Sequence, residues 1–206
     1  MPETWLPLFP LKVVLFPRSA LPLHIFEERY KVLINECIER GSSFGVTLDR
    51  DEGMAEVGCS ATVSSVTRRF DDGRMDIVVG GDRRYRLLRH ETGRAPYILG
   101  EVQYFDETEE DVNRELAAAT VELFNALLVA AYKGSGTLIG FDRFEAGLSF
   151  RIAQKAGLDL RRRQELLEIP GENARLRMLN DYLTDLLPRL RRVEELQRIT
   201  KNDGYI

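Results

Sequence analysis

The sequence predicts an α+β fold, with a β-rich first half over residues 1–105 and an all-helical second half over residues 106–206. Three observations predict it. Short β-prone runs separated by turn residues fill the first half. Apolar residues recur at helical spacing through the second. The texture changes between them at an acidic run: Asp106, Glu107, Glu109, Glu110 and Asp111.

Residues 5–14 and 13–16 are rich in Val, Leu and Phe but punctuated by Pro7, Pro10 and Pro17. Proline cannot donate to a ladder, so edge strands or strand ends are expected there. After Leu21-Pro22-Leu23-His24-Ile25-Phe26, the spacing of Tyr30, Leu33, Ile34, Cys37 and Ile38 predicts a helix. Glu27 and Glu28 suit its positive start, and Gly41 suits its C-terminal cap. Residues 44–48 read as a strand and 49–53 as a polar loop. A strand over 57–70 leads into Asp71-Asp72-Gly73, a hairpin turn signal because Asp and Gly tolerate positive φ. Residues 75–79 form its partner. Gly80-Gly81-Asp82 predicts a further bend. Residues 83–89 then alternate, with Arg84 and Arg86 on one face and Tyr85 and Leu87 on the other. A last strand covers 97–105. So many short strands predict a small barrel or sandwich.

In the second half, Val112, Leu116, Ala119, Leu123, Leu127 and Ala131 share one helical face. Lys133-Gly134-Ser135-Gly136 is a break. Asp142 with Glu145 is a capping pair for a helix running to Ala156 and ended by Gly157. Asp159 precedes a short helix up to Ile169, which Pro170-Gly171 stops. A long helix over 173–198 carries the stripe Leu176, Leu179, Leu183, Leu186, Leu190 and Val193, with a kink or local break at Pro188.

The 206 residues carry a formal net charge of -4, which argues against a dedicated nucleic-acid binder. Two cysteines, Cys37 and Cys59, are too few for a disulfide framework. Cys37 lies on the apolar helical stripe and reads as a buried thiol. With two histidines, His24 and His90, no structural zinc site is expected. Neither a metal nor a cofactor is called for. The start lacks a basic segment, and Pro7, Pro10, Pro17 and Pro22 interrupt the apolar stretch that follows. Neither a signal peptide nor a membrane span is expected, so a cytoplasmic protein without membrane contact is.

Several segments carry a resemblance. Leu6-Pro7-Leu8-Phe9-Pro10-Leu11, Val13-Val14-Leu15-Phe16-Pro17, Leu21-Pro22-Leu23 and Phe26-Glu27-Glu28-Arg29-Tyr30 resemble the start of the N-terminal domain of Lon-type ATP-dependent proteases. Val57-Gly58-Cys59-Ser60-Ala61, Asp72-Gly73-Arg74 and Val78-Val79-Gly80-Gly81-Asp82-Arg83-Arg84-Tyr85 resemble that family's "VGT…DG…V-x-G-x-x-R" stretch. Residues 158–167 and 175–187 resemble its closing helices. The resemblance implies a PUA-like β pseudobarrel with one helix, followed by a C-terminal helical bundle. It also implies binding of polypeptide or protein partners, a separate Lon protease among the candidates. The sequence stops at Ile206 with no G-x-x-x-x-G-K-[ST] loop, and the region of a Ser-Lys protease site is missing. A non-enzymatic, stand-alone member of the family is therefore expected.

Gly134-Ser135-Gly136 follows no strand and lacks the Lys-Ser/Thr ending of a phosphate loop, so it reads as a helix-to-helix connection. Asp49, Asp51 and Glu52 lack the ligand register of a calcium loop. No Ser-His-Asp spacing involves His24 or His90, and no nucleophile–base pair stands out for a hydrolase. The first helix presents Glu28, Arg29 and Lys31 on its outer face, a candidate rim for docking peptides. Arg83, Arg84 and Arg86, continuing to Arg89 and Arg94, form a basic stretch. On a PUA-like barrel that stretch is a candidate RNA-binding edge, the alternative function. Its competing reading is a solvated face paired with carboxylates near Asp106.

Overall fold

The computed structural model describes residues 4–105, 111–132 and 147–202. The acidic run 106–110, the break at 133–136 and the Asp142/Glu145 pair lie outside the described residues, as does the side chain of Val193. The chain forms two compact units: Met1–Glu107 with Leu158–Glu168, and Thr108–Gly157 with Ile169–Ile206. The expected division at 105/106 keeps all helices of the second half together. The segment Leu158–Glu168, which holds a short helix over Leu160–Glu168, groups with the strands instead.

In the first unit the strands are β1 (Thr4–Leu11), β2 (Ala20–Ile25), β3 (Phe44–Arg50), β4 (Gly53–Met54), β5 (Val57–Arg69), β6 (Met75–Glu91) and β7 (Ile98–Tyr104). Its helices are α1 (Glu28–Arg40) and α4 (Leu160–Glu168). The strand order β1-β7-β6-β5-β3 closes on itself because β1 also pairs β3, in parallel, while the neighbours along the path are antiparallel. Closure removes most sheet edges. β1 is thus no edge strand. It pairs β7 through residues 4–8 and β3 through residues 8–11, so Pro7 and Pro10 each sit where only one neighbour is present. The missing N–H interrupts no two-sided ladder.

Residues 13–16 do not form the expected strand. They are a buried plug of Val14, Leu15 and Phe16, closed by a turn in which the Ser19 hydroxyl donates to the Phe16 carbonyl at 2.6 Å. This turn explains Gly80-Gly81-Asp82. The chain does not leave the sheet there, and β6 continues unbroken through it. A Cβ at Gly81 would stand 2.2 Å from the Phe16 carbonyl oxygen, so the glycine serves a close backbone approach.

The expected first helix is α1, with Tyr30, Leu33, Ile34 and Cys37 buried and Gly41 in the left-handed conformation at its end. These residues pack with Phe9, Phe44, Ile77 and Val79 in the larger core of the unit. A smaller core holds Leu6, Leu8, Tyr85 and Val102. Tyr85 is fully buried and donates to the Val46 carbonyl at 3.2 Å. Gly45 and Gly58 leave it room, since a Cβ on either would lie within 2.6 Å of its hydroxyl.

The second unit contains α2 (Arg114–Tyr132), α3 (Leu148–Ala153) and α5 (Glu172–Asn202). The side chain of Asn113 accepts from the Leu116 N–H at 3.0 Å, an N-cap not anticipated from the acidic run. The core face of α2 is Ala117, Thr120, Val121, Phe124, Leu127 and Leu128, while Ala119 and Ala131 are exposed. The expected face is rotated by about one residue because it left out Phe124 and Val121. On α5, Leu176, Leu179, Leu183 and Leu187 are buried, and the helix continues through Pro188. Arg175 ties this unit internally. It pairs with Glu172 at 2.7 Å and donates to the Ser149 hydroxyl at 2.9 Å. It also donates to the carbonyls of Ile169 and Pro170, so a buried charge has a full set of partners.

Candidate functional site

The three α1 residues singled out from the sequence are tied to their own neighbours. Lys31 pairs with Glu28 at 2.7 Å and donates to the Asp72 carbonyl at 2.9 Å. Its side chain is only 13% exposed, so it fastens α1 to the β5–β6 turn rather than standing free. Arg29 donates to Glu27 at 2.9 Å and lies over the ring of Tyr30 at 4.5 Å. Burial pushes the Tyr30 phenol up from its ordinary pKa. In the turn itself, the Asp72 carboxylate accepts from the Arg74 N–H and pairs with its guanidinium at 2.6 Å. Those bonds hold its pKa below the usual range.

Beside these residues lies a feature that spacing did not reveal. Phe26, the link between β2 and α1, is 58% exposed. It stacks on His24 with ring centroids 6.0 Å apart, and His24 meets the edge of Phe70 at 5.8 Å. His24 is held from across the strand pair by Asp76, at 2.6 Å. Arg68 and Arg74 lie over the Phe70 ring at 4.4 and 5.2 Å. The end of β2, the start of α1 and the β5–β6 hairpin therefore assemble one aromatic surface bordered by cations. Its members are far apart in sequence, and only the β2–β6 register brings them together.

A second feature lies at the other end of α1. A groove of about 380 Å³ runs between the helix end, with Cys37, Ile38 and Gly41, and the β5 residues Thr62, Val63 and Val66. Cys37, on its lining, is the expected buried thiol, and burial raises its pKa.

The arginine stretch does not form one open surface. Arg84 is 1% exposed and donates to the Leu167 carbonyl at 2.8 Å. Cys59↔Arg84, Gly58↔Tyr85 and Val57↔Arg86 pair in regular register, so Arg84 and Arg86 keep the expected shared side of β6. Arg84 leaves solvent because α4 covers it at Leu167, while Arg86 stays exposed. Arg83 is exposed and lies over Tyr104 at 4.5 Å. Arg86 pairs with Glu56 at 3.3 Å, Arg89 with Glu101, and Arg94 with Glu91 at 3.4 Å. Among the described residues, these carboxylates come from the bend before β5, from β7 and from β6 itself.

Among the described residues, no group of three or more His, Cys, Asp or Glu side chains is placed to hold a metal ion. No described helix is long and apolar enough to cross a membrane.

Comparison with known proteins fits this architecture. The sequence profile of the ATP-dependent protease La (LON) substrate-binding domain matches residues 5–185. Lon protease 2 of Syntrophobacter fumaroxidans is 26% identical over 216 residues, covering 98% of this chain and 27% of that protein. Lon protease of Dictyoglomus thermophilum shows the same identity and coverage. The chain thus spans about a quarter of the length of these curated relatives, and the profile it matches is that of the substrate-binding domain, not of an ATPase or protease domain. Among solved structures, a Lon N-terminal domain protein from Xanthomonas campestris superposes with a TM-score of 0.68 at 29% identity, covering 85% of this chain and 96% of that one. The N-terminal domain of Lon protease from the Mycobacterium avium complex gives a TM-score of 0.69 at 19% identity, over 88% and 99% of the two chains, and shares the fold. With its closed, PUA-like barrel, its helical second unit and a profile match over nearly its whole length, the chain belongs to the Lon substrate-binding domain family.

Proposed function

We propose that this chain is a non-enzymatic cytoplasmic module that binds unfolded polypeptide segments through the aromatic surface of Phe26, His24 and Phe70. The observation that carries this reading is the exposure of Phe26 beside two further rings. A contiguous apolar surface facing water is held at a cost unless something covers it. Aromatic side chains are effective anchors for a partner because they bury much area with little rotamer freedom to lose. The rim of Arg29, Arg68 and Arg74 would orient a bound segment, and Lys31, paired with Glu28 and bonded to the Asp72 carbonyl, would hold α1 to the hairpin beside it. The family's description as a protease's substrate-binding domain supports the same reading, since a protease's substrates are polypeptides. A separate Lon protease is the candidate partner to receive what is bound.

The arginine stretch supports no second reading. Arg84 is internal, and Arg86, Arg89 and Arg94 already face carboxylates, which leaves little uncompensated charge for phosphates.

The test is fluorescence anisotropy with a labelled, reduced and carboxymethylated protein that stays unfolded at neutral pH. Wild type is expected to bind at micromolar concentration and Phe26→Ser at least tenfold more weakly, with an unchanged urea midpoint. Absence of wild-type binding rejects the reading.

A further inference from the structure

We infer that the outer edge of β5, over residues 62–66, is a strand-addition site for a short extended segment of a partner polypeptide. The inference rests on the polypeptide-binding reading but places a second contact, distinct from the aromatic surface. β3 runs beside β5 only from Phe44 to Val46, opposite Ala61 to Cys59. Before Phe44 the chain turns away through Ser42 into the cap of α1, where the Ser42 N–H returns to the Cys37 carbonyl at 3.0 Å. From Thr62 onward β5 therefore pairs β6 alone among the described residues, through Thr62↔Gly80, Val63↔Val79, Ser65↔Val78 and Val66↔Ile77. Every second N–H and C=O of a strand points away from its partner, so this edge presents ladder groups outward.

The opposite edge of the same layer is closed to such pairing. It is β2, which pairs β6 and carries Pro22, a residue with no N–H to offer. No proline lies between Thr62 and Arg69. What borders the β5 edge is the groove of about 380 Å³, with Ile38 and Val66 on its apolar walls. That volume suits one or two aliphatic side chains of an incoming strand, while its backbone meets the β5 edge. This is the chemistry of β-augmentation, in which main-chain bonds supply affinity and pockets at alternate positions supply selectivity. Two features keep the site short. Register shifts flank Ser64 and Thr67, and bulges limit regular pairing. Arg69 reaches across to Asn35 at 3.2 Å and shuts the far end. The occupant is thus an extended segment with a β-branched or leucine side chain for the groove.

The experiment titrates the isotopically labelled full chain with a seven-residue peptide that alternates valine with threonine and lysine, followed by amide NMR. A second peptide has identical side chains but N-methyl groups on the alternate residues whose N–H would face β5, which removes the ladder donors and keeps the apolar content. Shifts confined to the amides of residues 62–66 and of the α1 end, with affinity at least tenfold weaker for the N-methylated peptide, are the expected result. Shifts only around Phe26 and Phe70, or equal affinity for both peptides, would overturn strand addition and leave the aromatic reading intact. No binding of the peptide while the unfolded protein still binds also overturns it. No binding of either overturns both readings. If the same amides shift with protein concentration alone, the occupant is a second copy and the inference fails.

Discussion

The guanidinium of Arg84 donates to the carbonyl oxygen of Leu167 at 2.8 Å, across 83 positions of sequence. Leu167 lies in the last turn of α4, where carbonyls have no partner within the helix and a cation is favoured. Arg84 also lies over the ring of Phe105 at 4.7 Å. A residue that reads in the sequence as part of a basic surface is therefore a strut inside the first unit, joining β6 to α4. Two neighbours reinforce the same joint: Gln164 donates to the Val57 carbonyl at 2.9 Å, and Arg163 lies over Phe16 at 4.8 Å. Burial lowers the pKa of the Arg163 guanidinium from its ordinary value.

Arg84→Ala is expected to cost about 2–4 kcal/mol, because it strips a buried carbonyl of its donor and leaves a cavity. Arg84→Lys should restore only part of that, since lysine lacks the planar fork and the stacking surface. Arg83→Ala, at an exposed position, should stay within about 0.5 kcal/mol of wild type. Urea unfolding measures all three. Equal midpoints for the Ala variants at 83 and 84 would refute the strut.

The barrel interior gives a sharper steric prediction. A Cβ on Gly58 would lie 2.4 Å from the Tyr85 hydroxyl and 2.6 Å from the Val46 carbonyl oxygen. Gly58→Ala must displace a buried ring or a strand backbone, which costs about 1–3 kcal/mol or more. Gly93 has a φ of +90° but open space around it. Gly93→Ala should cost about 1 kcal/mol from backbone strain alone. Thermal unfolding of the two variants side by side separates crowding from strain.

These cases show where sequence reading reached and where it stopped. The pattern Tyr30, Leu33, Ile34, Cys37 has one period and one outcome, so α1 and its Gly41 cap were legible. So were the Asp71-Asp72-Gly73 turn, where Gly73 takes a φ of +81°, and the short helix after Asp159, whose side chain accepts from the Arg162 N–H at 2.8 Å. Alternation held over residues 84–87 of β6, with Tyr85 in the smaller core and Leu87 packed against it. It could not tell which of the two arginines on the other side would be covered, because that depends on a helix residue 83 positions away. Gly81 reads as a turn residue until the Phe16 carbonyl comes to rest on it. The aromatic surface was illegible for another reason: Phe26 directly follows the buried Ile25, and its exposure depends on where the chain turns into α1. The one available signal was a large apolar residue placed at an element boundary.

The neutralised arginine face predicts how the chain behaves toward nucleic acid. With Arg86, Arg89 and Arg94 facing Glu56, Glu101 and Glu91, phosphate binding would have to displace those carboxylates. A labelled single-stranded RNA is expected to show no mobility change at micromolar protein, even at low salt, where counterion release favours binding most. The variant Glu56→Gln with Glu101→Gln removes two of the carboxylates and should introduce weak, salt-sensitive binding. A shift with wild type at low salt would return the RNA reading to first place.

The alkaline limb of stability is set in part by Tyr97. Its phenol donates to the Glu36 carboxylate at 2.9 Å. Burial first, then that hydrogen bond and the carboxylate's charge, push its pKa from 10.0 up to about 12. Below pH 10 the phenol is protonated in both folded and unfolded chains, and its contribution to stability is complete. Between about 10 and 12 the unfolded chain gives up the proton while the folded chain keeps it, so stability falls as pH rises and the contribution is lost through the folded value. Tyr97→Phe removes this group and should make the urea midpoint decline less steeply over that window. Tyr85, whose phenol is also driven upward by burial, remains in the variant and keeps some slope. Glu36→Gln retains an acceptor but not the charge, so if burial were the whole cause its decline would match that of wild type. Because the carboxylate adds to burial in raising the pKa, the slope of Glu36→Gln should instead fall between those of wild type and Tyr97→Phe. Superimposable profiles for all three proteins would show that Tyr97 titrates alike in the folded and unfolded chains.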